Sequence, residues 1–143
     1  MKKRITFIVF VSFFILIPIL IVQGQVDTLW TKTFGGRDLD WGRSVQLTSD
    51  GGYIIVGDIW NGADGFDIWL LKSDTSGDTL WTKTFGGRFD DRGYSVQQTT
   101  DEGYIIVGST ESFSAGDYDV WLIKTDASGD TLWTKTYGES SLE

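Results

Sequence analysis

Aspartates and tryptophans are the side chains of this sequence with chemistry to offer. Two acidic clusters, Asp64-Gly65-Phe66-Asp67 and Asp117-Tyr118-Asp119, set carboxylates close together in loop-like surroundings. Carboxylate and carbonyl oxygens on loops suit calcium, which makes Asp64, Asp67, Asp117 and Asp119 the candidate ligands. No EF-hand spacing is present, and an Asp at a turn more often bonds its own backbone. The expectation is therefore a chain without metal or other cofactor. Asp90 and Asp91 suggest the carboxylate pair of a glycosidase, which needs a set separation. Adjacent residues of a strand or loop diverge, however, so these two do not flank one bond. The sequence has no His and no Cys. That excludes a Ser-His-Asp triad, imidazole or thiolate metal sites, iron–sulfur clusters and disulfides. The expected role is non-catalytic.

The elements that must position these residues come from an internal repeat. Asp27–Gly77 (repeat 1) and Asp78–Gly129 (repeat 2) are about 60% identical, with a period of about fifty residues, in the range of propeller blades. A third copy opens as Asp130–Gly138 and departs into Glu139–Glu143, so residues 130–143 form a partial repeat 3. Each copy divides into four β-rich runs bounded by turn residues. In the first they are Thr28–Phe34, Ser44–Thr48, Tyr53–Ile59 and Asp67–Ser73. Ser49-Asp50-Gly51-Gly52 is a hairpin signal, and Asp74-Thr75-Ser76-Gly77 is a turn in which Asp or Ser can bond the backbone. Tyr53-Ile54-Ile55-Val56 and Ile68-Trp69-Leu70-Leu71 are apolar at consecutive positions. A strand with one wet face would alternate, so both sheet faces are expected to be covered. Radially stacked four-stranded blades do that. The fold class is all-β, with propeller-like blades.

The string from Phe85 to Thr110, FGGRFDDRGYSVQQTTDEGYIIVGST, with DVWLIKTDASGDTLWTKTYG from Asp119 to Gly138, resembles the bacterial secreted β-propeller repeats known as seven-bladed β-propeller (SBBP-type) repeats. Repeat 1 departs from their pattern at Leu39, where the pattern has Asp, and at Asp58-Ile59, where it has Ser or Thr followed by Thr. The resemblance implies that DTLWTKTFG is the outermost strand of one blade and that the next blade begins inside. Thr28–Phe34 is then an extra N-terminal strand, followed by two full blades, Ser44 to Phe85 and Ser95 to Tyr137. Closed propellers typically have four to eight blades. Two leave an open arc, expected to be a fragment of a larger propeller or a unit of which several copies close a ring. Exposed blade edges invite such self-association.

Residues shared by the copies serve the blade, whereas loop residues that differ are candidates for a ligand. Trp30, Trp81 and Trp133 share one position, and Trp69 and Trp121 another, as expected of blade-to-blade packing. The non-repeated set comprises Trp41, replaced by Arg92, Arg43, replaced by Tyr94, and the segment Asp58–Phe66 with Trp60 and Asn61, replaced by Ser109–Tyr118 with Phe113. Aromatics beside Asp and Asn at a propeller rim could stack on sugar rings or anchor a protein partner.

Lys2, Lys3 and Arg4 precede an apolar run from Ile5 to Val22, and Val22-Gln23-Gly24 closes it. That order describes a secretory signal peptide, residues 1–24, with the repeat region at 25–143. Uncleaved, it would be a membrane anchor. Cleavage takes the net charge from −8 to −11, because Lys2, Lys3 and Arg4 leave and no acidic residue does. Such a body does not suit nucleic acid. The expected product is secreted or held in the cell envelope, as an interaction scaffold for a protein or glycan. The alternative is that the blades belong to a larger secreted propeller enzyme, glycan-active or quinoprotein-like, with catalytic residues outside this chain.

Overall fold

The computed structural model describes residues 29–139; residues 1–24, expected as a signal peptide, and the last residues of repeat 3 lie outside them. Eight strands form two four-stranded antiparallel sheets. Blade 1 contains β1 (Asp40–Leu47), β2 (Tyr53–Trp60), β3 (Phe66–Ser73) and β4 (Thr79–Phe85). Blade 2 contains β5 (Asp91–Gln98), β6 (Tyr104–Thr110), β7 (Asp119–Thr125) and β8 (Thr131–Tyr137). In each blade the strands lie in sequence order, and every pair is antiparallel. The fold is all-β and blade-like, and it is an open stack.

The hairpins form where the turn residues require. Gly51 takes a positive φ of 83° between β1 and β2, and its counterpart Glu102 is the one non-glycine among the described residues held in that region, at 65°. The acid of each hairpin is clasped from below. Lys72 Nζ lies 2.8 Å from an Asp50 carboxylate oxygen and donates to the Ser73 carbonyl at 2.9 Å. Lys124 repeats both contacts with Asp101 and Thr125. The Thr99 hydroxyl and then Lys124 hold the Asp101 carboxyl down to about 2. Asp74 accepts the Ser76 and Asp78 amides, as its turn chemistry requires.

Blade 1 turns one face to blade 2. Ile54, Val56, Ile68 and Leu70 meet Val96, Tyr104, Ile106, Trp121 and Ile123, and Trp81 and Phe85 of β4 close the side. Asp58 is buried in this contact and accepts the Gly93 amide across it at 3.0 Å. The expectation that both faces of each sheet are covered holds in full only here; on the far face of blade 1 residues 29–34 give partial cover, leaving Leu71 buried. On the far faces Val45, Leu47, Val107 and Val120 are exposed.

Residues 29–34, expected as a spare outer strand, join no ladder among the described residues. They nevertheless take that strand's place. Trp30 meets Tyr53 edge-on at 5.7 Å, as Trp81 meets Tyr104 at 5.8 Å. Lys32 pairs with Asp78 as Lys83 pairs with Asp130. A strand needs a hydrogen-bonded neighbour, and the three inner strands that would provide it are not beside this segment.

Candidate functional site

The local source of the site is a β-bulge. Gly42 pairs with Gly57 and Ser44 with Val56, leaving Arg43 as the extra residue of β1. A bulge re-aims the side chain it carries. Arg43 reaches Asp58, donating from Nε at 3.0 Å and Nη2 at 2.7 Å. Its carbon Cζ also lies 5.4 Å from the Trp41 ring centroid. The bulge of β5 carries Tyr94 in the same place, with its hydroxyl 3.1 Å from Ser109 Oγ, where Ser109 stands for Asp58.

At this end of blade 1, Trp41 stacks on Phe66 (4.9 Å, 28°), and Trp60 meets the same ring edge-on at 4.8 Å. Arg92 of blade 2 lies over Phe66 with Cζ 4.4 Å from its centroid, tied to Asp90 at 2.7 Å. Together with Arg37, Asp38 and Leu39, the three aromatics line a cleft of about 440 Å³. Trp41 and Trp60 remain 40% and 39% exposed. The cleft therefore offers aromatic surface, one acid and one guanidinium at its mouth. Stacking with hydrogen bonding is what it can do chemically.

The five candidate residues separate. Trp41 and Trp60 come together in the cleft. Asn61 turns aside and donates to Asp67 at 2.8 Å. Tyr94 sits on the bulge of β5, and Phe113 packs against Trp121 at 5.0 Å. Phe66, which organises the cleft, falls at the end of the non-repeated segment Asp58–Phe66 and was not singled out there, since Tyr118 keeps its aromatic character.

Among the aspartates proposed for calcium, Asp64 and Asp117 are exposed while Asp67 and Asp119 are buried. Asp119 accepts the Ala115 amide at 3.0 Å. Among the described residues no three acids, histidines or cysteines converge on one point. Asp67 faces Asp91 instead, and one oxygen of each is buried without a partner. Burial raises the Asp67 carboxyl; the Asn61 bond opposes this, and the charges of Asp91 and Asp64 add to it. Asp90 and Asp91 also diverge. Asp90 accepts the Phe66 amide at 3.0 Å, whereas Asp91 accepts the Gly87 amide at 2.9 Å and the Ser112 hydroxyl at 2.7 Å.

The raised Asp67 carboxyl has a testable consequence for stability. Its folded pKa lies above that of the unfolded chain, so ionisation costs stability as pH rises past about 4, and the cost is absent below that. Asp67→Asn keeps an acceptor for Asn61 and gives Asp91 a donor. We expect a gain of about 1 kcal/mol at pH 7, or about 4 °C in melting temperature. No gain is expected at pH 3. Thermal denaturation at both values checks this, and an equal gain at both would remove the carboxyl's ionisation as the cause.

No family model matches the chain, and no curated protein matches it either.

Proposed function

We propose that the chain is an exported, non-catalytic repeat scaffold of the secreted β-propeller type, and that it holds a carbohydrate at the Trp41–Trp60 cleft. The observation that carries this reading is the pairing of two exposed tryptophans over one cleft in one blade only. At the equivalent positions blade 2 has Arg92 and Glu111. A packing aromatic repeats with the blade; these two do not. Indole faces suit the apolar faces of sugar rings, and Asp38 and Arg37 at the mouth suit their hydroxyls. A non-catalytic role is supported by the divergence of Asp90 and Asp91, the first held by the Phe66 amide and Arg92, the second by the Gly87 amide and Ser112. The leader and the acidic body support export to the cell envelope or the medium.

A glycan array probed with the purified full chain tests the reading. Trp60→Ala removes an exposed ring that packs on Phe66 at its edge, so folding should persist while binding falls about tenfold or more. Trp41→Ala should act in the same direction. Absence of binding by the parent chain would sink the carbohydrate reading. Capture of a protein ligand that the same substitutions abolish would reassign the cleft to a protein partner.

A further inference from the structure

The two blades meet through unlike faces, and the repeat carries each of those faces a second time. Blade 1 brings Ile54, Val56, Ile68 and Leu70 to the contact. Their counterparts Ile105, Val107, Val120 and Leu122 lie on the far face of blade 2. Blade 2 brings Val96, Tyr104, Ile106, Trp121 and Ile123. Their counterparts Val45, Tyr53, Ile55, Trp69 and Leu71 belong to the far face of blade 1. Only Ile68/Val120 and Ile123/Leu71 differ, each exchanging one aliphatic for another. Burial separates the outer positions of these faces, although Leu71, under residues 29–34 on the far face of blade 1, is itself only 1% exposed. Ile68 is fully buried and Val120 is 50% exposed; Val96 is 1% exposed and Val45 60%.

We propose that a second copy of this chain docks on these faces, blade 2 of one copy against blade 1 of the next, repeating the junction inside each chain. Because the joined faces differ, the contact is head-to-tail, and rotation between blades closes it into a ring. With two blades per copy, two to four copies give the four to eight blades of roughly the usual closed range. Ser109 replaces the buried Asp58 at the new junction. It therefore lacks the charge that locks the internal one, and it is reversible.

Residues 29–34 already occupy part of this junction. They lie on blade 1 as β4 lies on blade 2, with Trp30 on Tyr53 and Lys32 on Asp78. β8 of an arriving copy has the same residue types, Trp133 and Lys135, at matching positions. Both cannot sit there. β8 is bonded along β7, whereas residues 29–34 join no ladder, so the N-terminal segment yields. It is a placeholder that guards the face until a copy arrives.

Sedimentation velocity and light scattering of the purified full chain provide the test. The parent should associate at about 100 µM into species of two to four copies. Val120→Lys and Val45→Lys each charge one exposed face, and each alone should be monomeric with an unchanged circular dichroism spectrum. Their equimolar mixture should form dimers and nothing larger, because one intact face of each kind remains. Trp30→Ala should tighten parent association several-fold, and Trp133→Ala should weaken it. A parent that stays monomeric, a single variant that still associates, or a mixture that does not would each overturn the head-to-tail junction. Weaker association of Trp30→Ala would overturn the placeholder role.

Discussion

Replacing Asp58 by alanine is expected to lower stability by about 3 kcal/mol, a drop of roughly 10 °C in melting temperature. Asp58 is fully buried between the blades and accepts three hydrogen bonds, two from Arg43 and one from the Gly93 amide. Arg92 adds a second cation at 3.7 Å. Removing one partner of a buried pair typically costs about 3–5 kcal/mol. Arg43 reaches solvent, and water takes over part of its bonding. The Gly93 amide has no such recourse, because Val56 and Ile68 pack around it, and an orphaned buried donor costs about 1–3 kcal/mol. Urea or thermal denaturation of Asp58→Ala at pH 7 measures the sum. A shift under about 3 °C would mean that the blade interface is wet at this point.

The second large effect is expected at Gly57. A methyl group here would run into the Trp41 carbonyl oxygen and lie 3.0 Å from Gly42 Cα, both of them backbone. Neither can swing away as a side chain can. Gly57→Ala must therefore part β1 from β2 at the end that carries Trp41, at a cost of about 2–3 kcal/mol. The same displacement moves Trp41 off Phe66, so the cleft is lost with the stability. Gly42, its partner across the ladder, is a matched control: a methyl group there meets nothing within 4 Å. Gly42→Ala should change the melting temperature of the unassociated chain by no more than about 2 °C. Equal melting temperatures for the two variants would show that β1 can shift freely against β2.

The architecture was legible because the repeat supplies each signal twice. The turns at Ser49–Gly52 and Asp74–Gly77 and the consecutive apolar runs were enough to give two four-stranded sheets, although β1 begins at Asp40, ahead of the expected Ser44. Residues 29–34 are a different case. Their sequence is that of β4 and β8, but a strand is defined by its neighbour, and local sequence does not reveal whether the neighbour is present. Trp41 and Trp60 were legible as candidates because they break the repeat. The bond from Asn61 to Asp67 was not legible, because it depends on a loop conformation. Phe66, Asp58 and Arg43 also lay among the positions that break the repeat, but how they pair was not legible. A bulge shifts which side chain faces which, and no composition signal marks the bulge at Arg43. The acids proposed for calcium were grouped by sequence distance, whereas folding sets Asp67 against Asp91, a residue of the next blade.

The strictly sequential order of strands within each sheet has a kinetic consequence. Among the described residues every ladder joins a strand to the next one along the chain, so a blade can form by successive hairpin closures over short loops. Only the contact between sheets demands ordering over longer separations. The repeat unit is thus a local folding module, able to nucleate in either copy and then to template its neighbour, in the manner of a one-dimensional array. A chain emerging from the ribosome can therefore organise blade 1 before the last strand of blade 2 has arrived.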